Sequence, residues 1–371
     1  MVTLKTFQRK RSLIGLDIGA CGVRAVQLLR DGNSYAVENA ACSDRQRPAN
    51  ETGFDPRLSS RQIADCLRGA SFHGKVLAAA LATPDMEFHT LELPAAALNT
   101  GEAEGAQIAR FEIERLMTQQ QVPVETRYWQ LPKTSIPAPN AIGAGATHET
   151  IHRMVEACSQ VGWICSEVDT TATALSRLGA HLQDRSKEEI WGILDAGDRQ
   201  ARLVLCLQDT PLLVRVTGVG GRTWTQRIAD ALQVSFKAAE IHKRDHGIAA
   251  TGRKTRSATD DGARSELASL ILGALRADLN DLAAEVKRSY EYVLSCYPSG
   301  KVGDLVLCGG GSQTHNLSEF LGNALGIPVR RASDYLGGPS CRLRPTFVSN
   351  ASIEVLAVAA GLAIPELPHS W

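Results

Sequence analysis

The chain of 371 residues lacks a net charge, since 40 lysines and arginines are matched by 40 aspartates and glutamates. That balance gives no electrostatic reason to expect DNA or another polyanion as the main partner. Also missing is any window of roughly 18 uncharged apolar residues, the length a membrane-spanning helix needs. Even the run from Ile353 to Ile364 is too short and carries Glu354. A secretory leader is not expected, because the apolar stretch behind Lys5, Arg9, Lys10 and Arg11 is interrupted by Asp17 and reads as a strand. Those basic residues read as a short solvated tail, with contact to anionic lipid as the alternative. Nine cysteines form an odd set without a C-x-x-C pair, and most sit in apolar patterns. A disulfide or zinc framework is therefore not expected, and the thiols read as small buried residues of a reducing cytoplasm.

What the sequence does have is an internal repeat. LIGLDIGACGVRAVQLLRDG from Leu13 returns as WGILDAGDRQARLVLCLQDT from Trp191. A shift of 178 positions (195 minus 17) places Asp17 on Asp195, Gly19 on Gly197, Arg24 on Arg202 and Asp31 on Asp209. Each copy is an apolar strand ending in Asp, a small residue and Gly, then a second strand. A repeat on this scale sets the architecture, and the length suits two lobes better than one core. A carboxylate at a strand end and several backbone N–H groups at a hairpin tip, present twice and facing each other, would grip a phosphate chain and its cation.

The hydrophobic periodicity predicts strands near 13–18, 23–30 and 35–42, a helix near 59–68 and a strand near 75–82. A second lobe opens with strands at 190–195, 201–207 and 212–218, then becomes helical at Gly220-Gly221 with amphipathic patterns over 222–246 and about 264–296. A strand near 303–308 runs into Gly309-Gly310-Gly311, and Ser312 and Asn316 precede a helical spacing of Leu317, Phe320, Leu321 and Leu325, with a short strand at 327–329 beyond. The intervening stretch 83–165 has its own pattern: strands at 86–93, 126–131 and 141–147, and helices at 101–119 and 148–161. It is expected to be an inserted subdomain with the proline-rich segment 132–140 as a surface loop. The polar segment 247–262 is expected to separate two helices.

Two motifs are decoys. His148-Glu149-Thr150-Ile151-His152 has the zinc-protease spacing, but it directly follows a strand and would form a solvated first helical turn capped by Thr147. The segment 247–255 misses the phosphate-loop pattern by one residue, Arg253, and follows no strand. His242 and His246 share a helix face and are expected to face solvent.

The repeated Asp-x-Gly turns, the Gly-Gly pair opening a helix and the strand followed by Gly-Gly-Gly-Ser resemble the actin-like ATPase superfamily, which includes FtsA. Further segments, among them MEFHTLELPA, RFEIERLMTQQQVPVETRYWQL, VGGRTWTQRIADAL, AAEIHKRDHG and LVLCGGGSQTHNLSEFLGNALGIPV, are similar in order and spacing to the PilM-type proteins of type IV pilus assembly. That resemblance implies an α/β, two-lobed actin-like ATPase fold of duplicated ribonuclease-H-like lobes with an inserted α/β subdomain. Its expected boundaries are a basic tail at 1–12, a first lobe at 13–82, 166–188 and 340–371, the insert at 83–165 and a second lobe at 189–339.

The resemblance further implies that ATP and magnesium sit between the lobes. Asp17 and Asp195 would hold the hydrated ion, the turns Gly19, Ala20, Cys21, Gly22, Val23 and Gly197, Asp198 would line phosphates, and Gly220 and Gly221 would approach from the second lobe. Glu240 and Lys243 would hold ribose and adenine, and Gly309, Gly310, Gly311 and Ser312 would pass close to the adenosine. Departures are visible: Ala20 and Cys21 replace phosphate-binding hydroxyls, and Asp198 adds a negative charge at the second turn. No residue is assigned a catalytic role, since beyond Asp169, Thr170 and Thr171 in the connecting helix nothing would orient a water. A slow ATPase, or a scaffold that has lost turnover, is expected.

As partner, the resemblance implies the N-terminal tail of a PilN-like inner-membrane protein, which places this chain in the cytoplasm at the inner face of that membrane in a type IV pilus or type II secretion machine. The alternatives are a small-molecule kinase of the same superfamily and an FtsA-like filament formed by self-association.

Overall fold

The structure, a computed structural model, describes residues 10–44, 56–81, 85–94, 98, 102–118, 122–134, 136, 138–250, 261–344 and 351–365. The chain divides into two compact units, one of Met1–Asp184, Asp209–Leu212 and Leu336–Trp371, the other of Arg185–Gln208 and Leu213–Tyr335. Lys5, Arg9 and most of the expected phosphate-loop decoy lie outside the described residues.

The first unit opens with an antiparallel meander of β1 (Lys10–Ile18), β2 (Gly22–Asp31) and β3 (Ser34–Asp44). Lys10 and Arg11, expected in a tail, are already in β1, and Arg11 pairs with Glu38 at 2.9 Å. Helix α1 (Pro56–Arg68) leads to β4 (Val76–Leu81), which runs parallel to β1. With β8 (Ile164–Thr170) and the short β14 (Leu343–Arg344) the sheet order is β14-β3-β2-β1-β4-β8.

Between β4 and β8 lie β5 (Glu87–Leu91), α2 (Glu102–Leu116), β6 (Val124–Gln130), β7 (Ala141–Thr147) and α3 (His148–Ser159), with a three-stranded sheet ordered β5-β7-β6. Small residues in β7 let α2 settle on that sheet: a methyl group at Gly145 would lie 2.6 Å from the Met117 sulfur. Helix α3 and part of the three-stranded sheet, through Trp129, Ile142, Ala144 and Ala146, pack into the core of the six-stranded sheet. Met154, Ala157 and Cys158 of α3 join Ile14, Leu16, Val23 and Ile63 there.

Two further helices, α4 (Thr171–Leu182) and α9 (Ile353–Ala363), complete this unit. Thr170 caps α4 by accepting the Thr173 N–H at 3.0 Å. Helix α9 is almost wholly buried and lies at backbone contact distance from two neighbours. A methyl group on Gly361 would strike the Ala174 carbonyl of α4, and one on Gly15 of β1 would strike the Ala359 carbonyl.

The second unit contains β9 (Glu189–Ala196), β10 (Ala201–Leu207), β11 (Thr210–Thr217) from Leu213 onward, α5 (Gly221–Leu232), α6 (Phe236–Asp245), α7 (Asp261–Cys296), β12 (Lys301–Cys308), α8 (Leu317–Leu325) and β13 (Val329–Arg331). The sheet order is β11-β10-β9-β12-β13, with β12 parallel to β9 and β13. The expected helical stretch 222–246 is two helices: Gln233 adopts a left-handed conformation (φ 53°) that ends α5, and the Ser235 hydroxyl accepts the Ala238 N–H to start α6. A buried polar cluster ties this unit together. Arg185 pairs with Asp304 at 2.9 Å and stacks on Trp191, while the Tyr335 hydroxyl donates to the Asp304 carboxylate and Tyr290 to its carbonyl.

Candidate functional site

The sequence repeat survives as a repeat of hydrogen bonds. In the first unit the Gly19 N–H donates to the Gly22 carbonyl at 2.9 Å; in the second, 178 positions on (197 minus 19), Gly197 donates to the Gln200 carbonyl at 3.0 Å. Strand register then places Asp17 opposite Arg24 and Asp195 opposite Arg202. Residues directly opposite in an antiparallel pair bring their side chains together.

Both pairs are charged contacts. Arg24 Nη1 lies 3.6 Å from Asp17 Oδ2 and donates to the Gly22 carbonyl at 3.3 Å, so its guanidinium lies over the turn. Arg202 Nη1 donates to Asp195 Oδ2 at 2.9 Å, and Arg202 is only 5 % exposed. Its Nε is buried without a hydrogen-bond partner. Neither arginine was assigned a role from the sequence. The signal was present, because a separation of seven residues around a four-residue turn puts both ends of each hairpin opposite one another.

Other expected residues at the first turn split into two groups. Gly19, Ala20 and Cys21 form the turn, with Cys21 exposed. Gly22 and Val23 instead stand in β2, Gly22 opposite Asp44 and Val23 between Ile18 and Ser43, so Val23 is a sheet residue rather than part of an open loop.

In the second unit the glycines serve close packing. The first N–H groups of α5 are used internally: Gly221 donates to the Gly197 carbonyl at 2.8 Å and Arg222 to the Asp198 carbonyl at 2.7 Å. This helix start is thus capped by the β9–β10 turn. A methyl group on Gly220 would lie 2.6 Å from the Asp198 carbonyl oxygen, which explains the absence of a side chain there. Gly309 has φ 82°, a conformation that favours glycine, and a methyl group on it would strike Asp195 Oδ1. Gly310 differs: its added methyl would meet nothing within 4 Å, so the backbone there is open to approach.

The helix expected soon after Ser312 and Asn316 is not capped by the Ser312 side chain. Ser312 lies in a short 3-10 turn, Gly310–Gln313, and its hydroxyl donates to the Gly309 carbonyl at 2.6 Å. Helix α8 starts only after Asn316, whose backbone is left-handed and whose side chain donates to the Ile248 carbonyl instead of capping. The triglycine is therefore not followed directly by an α-helix N-terminus.

Glu240 and Lys243 occupy one face of α6. Lys243 is 4 % exposed, and its three N–H donors go to the Gly221 carbonyl (3.0 Å), Thr225 Oγ1 (2.6 Å) and Glu240 Oε2 (2.6 Å). A set of three acceptors saturates an ammonium group. Lys243 thereby clamps the start of α5 to α6, with Thr225 as a participant the sequence reading missed. Burial drives the Lys243 pKa down against the opposing pull of Glu240. Burial also works to raise the Glu240 carboxyl, but Lys243, Thr225 and Arg244 outweigh it and the net shift is downward.

Asp169 stands at the end of β8, not in the connecting helix as the sequence suggested. It accepts the Thr170 N–H and the Thr173 hydroxyl, each at 2.6 Å, and pairs with Arg177. A carboxylate committed in this way orders the start of α4 and is poorly placed to act as a base. The zinc-like decoy is a first helical turn capped by Thr147, with His148 and His152 exposed. Among the described residues no cluster of three or more His, Cys, Asp or Glu could hold a metal ion.

The donor set fits a hydrated magnesium ion poorly. Each expected carboxylate is paired with a guanidinium, so each pair carries no net charge toward a cation, and Asp195 Oδ1 is packed beside Gly309. A nucleotide fits better, because Gly310 leaves backbone open and Glu240 keeps part of its side chain at the surface.

The fold is that of the actin-like ATPases. Residues 193–355 match the family model of cell division protein FtsA. The chain is similar to a solved PilM-PilN type IV pilus biogenesis complex, with 24 % identity, a TM-score of 0.72, and coverage of 95 % of this chain and 98 % of that one. It is also similar to the ethanolamine utilization protein EutJ from Carboxydothermus hydrogenoformans, at 12 % identity and a TM-score of 0.54, covering 96 % and 89 %. MreB5 of Spiroplasma citri bound to ADP matches at 12 % identity and a TM-score of 0.52 over 95 % of each chain. No curated protein sequence matches the chain. No helix among the described residues is long and apolar enough to cross a membrane.

Proposed function

We propose that this protein is a nucleotide-binding scaffold of a type IV pilus or type II secretion assembly complex, which docks the N-terminal cytoplasmic tail of a PilN-like membrane protein. The observation that carries this reading is the likeness to the PilM-PilN structure, which spans 95 % of this chain and 98 % of that one. A docked tail that orders on binding suits a partner whose own helix supplies the membrane anchor. The protein then acts at the inner face of the inner membrane through that partner.

ATP or ADP is the ligand, held in the second unit by the backbone at Gly310 and by the exposed part of Glu240. The nucleotide would supply a charge-bearing clamp whose presence biases the conformation that receives the tail. The residues themselves do the positioning: Lys243 fixes α5 against α6, and Gly309 keeps the end of β12 against Asp195. Because Asp169 is tied to Arg177, turnover is absent or slow, and the small-molecule kinase reading has no base to rest on.

Fluorescence anisotropy with a labelled peptide of a PilN-like N-terminal tail tests the reading. Saturable micromolar binding to the full chain is expected. Peptide binding no tighter than that of a scrambled sequence, together with concentration-dependent sedimentation into polymers, would favour the FtsA-like filament instead.

A further inference from the structure

We infer that the second unit carries a zinc site at the C-terminal end of α6, in which His242 and His246 supply two imidazole nitrogens and water, or a donor atom of a bound molecule, completes the coordination.

The two histidines were expected to face solvent. The structure instead half-buries both and sets their rings against each other, with centres 5.6 Å apart and planes tilted by 45°. A separation of four residues places side chains one above the other on a helix face, which is the spacing by which a helix presents two histidines to one metal ion. Distance selects the ion. With metal–nitrogen bonds of about 2.0–2.1 Å, two imidazoles on a tetrahedral ion have ring centres roughly 5.2 Å apart, and two at a right angle on a tetragonal ion roughly 4.5 Å. The observed spacing is close to the tetrahedral value, and tetrahedral coordination is the usual geometry of protein-bound zinc. The remaining adjustment is a rotation about χ2, a soft torsion in histidine.

The protein leaves one of these nitrogens unanswered. His242 Nδ1 is buried with no hydrogen-bond partner, an arrangement that proteins rarely keep without a reason. The backbone carrying the pair is fixed. The N–H groups of His246 and Gly247 donate to the His242 carbonyl at 3.0 and 3.2 Å, and the Ile248 N–H donates to the His315 carbonyl at 3.2 Å. Gly247 ends the helix with φ 63°, so tight against the following segment that a methyl group on it would lie 2.3 Å from the His315 Cβ. Lys243 and Arg244, the cations beside the pair in the chain, both turn to Glu240. The carbonyl dipoles at this end of a helix also favour a cation. Among the described residues no third His, Cys, Asp or Glu joins the pair, so the site is open, with exchangeable positions, rather than a closed structural one. An ion bound there cross-links the last turn of α6, the helix that holds Glu240 and Lys243, and stabilises the second unit by linkage.

Calorimetric titration with zinc chloride tests the inference, using the full chain stripped with EDTA and returned to chelator-free buffer, beside His242→Gln and His246→Gln checked by circular dichroism. The wild type should saturate at one equivalent with a dissociation constant below about 100 µM, and each folded variant should lose at least about tenfold in affinity. The nine cysteines are potential zinc ligands too, so cobalt(II) absorption spectra of the wild type identify the donors at the first equivalent. Imidazole and water ligation, with no thiolate charge-transfer band, is expected, and this readout serves even if neither variant folds. Equal zinc affinity in the wild type and a folded variant overturns the inference, as does a thiolate charge-transfer band at the first equivalent. Absence of binding at millimolar zinc overturns it as well. None of these outcomes bears on nucleotide binding or peptide docking, which are judged separately.

Discussion

Arg202 and Asp195 face each other across the β9–β10 hairpin, joined at 2.9 Å, as Arg24 and Asp17 do at 3.6 Å across β1 and β2. The two pairs are equivalent in position but not in burial, since the arginine side chain is 6 % exposed in the second unit and 17 % in the first. Removing one partner from the buried pair strands a charge away from water. Asp195→Ala should therefore cost about 3 kcal/mol of stability, against about 1 kcal/mol for Asp17→Ala. Urea denaturation followed by tryptophan fluorescence checks the difference, and equal losses would contradict it.

The Arg185–Asp304 pair should be the most sensitive polar contact of the second unit. Both side chains are buried, and Asp304 also accepts from Tyr335. Asp304→Ala is expected to lose roughly 3–5 kcal/mol, because Arg185 stays buried against Trp191 after losing its carboxylate. Tyr335→Phe removes one hydrogen bond to a charged group and should cost about 1.5–3 kcal/mol. A shift in thermal midpoint of the same size for both variants would argue against this ranking.

Adjacent glycines should respond in opposite ways. Gly309→Ala demands a left-handed alanine with its methyl against Asp195, while at Gly310 the methyl has open space. The first variant should abolish nucleotide binding or folding. The second should fold as the wild type does and weaken nucleotide binding only by occupying the approach. Calorimetry beside circular dichroism separates the two effects.

His181 should make the first unit sensitive to acid. Burial pushes its pKa below the ordinary value of 6.5, while its Nδ1 is bonded to the Arg177 carbonyl at 2.8 Å. The unfolded chain then binds the extra proton first as pH falls. Stability is accordingly full above about pH 6.5 and declines below it, down to the depressed folded value. His181→Gln should flatten the dependence of the urea midpoint between pH 7 and pH 5, and an unchanged slope would rule His181 out as its source.

Much of the fold was legible because it is written in local signals. Alternation and apolar runs located the strands, and the match over 141–147 is complete since Thr147 both ends β7 and caps α3. The helix break at Gln233 was hidden, because a glutamine in a left-handed cap leaves no glycine or proline to read. Helix α4 was legible, but not the strand before it: β8 carries a mixed burial pattern, so Asp169 was placed one element too late. At the site, the sequence supplied the aspartates and glycines as a list of candidates. It did not show that Gly220 packs on the second turn, that Lys243 is saturated, or that Ser312 bonds backward.

The sequence by itself determined the duplication. A 178-residue offset between two Asp-x-Gly turns carries through to matching closing bonds at Gly19 and Gly197, since a tight hairpin is governed by residues within the turn. Only the tertiary structure decided what each charge does. Asp169 goes to Arg177, Lys243 to Gly221, Thr225 and Glu240, and the turn aspartates to their arginines. A partner for a buried charge is chosen by which side chains strand register and helix packing bring within about 3–4 Å, and that distance is set by the whole fold.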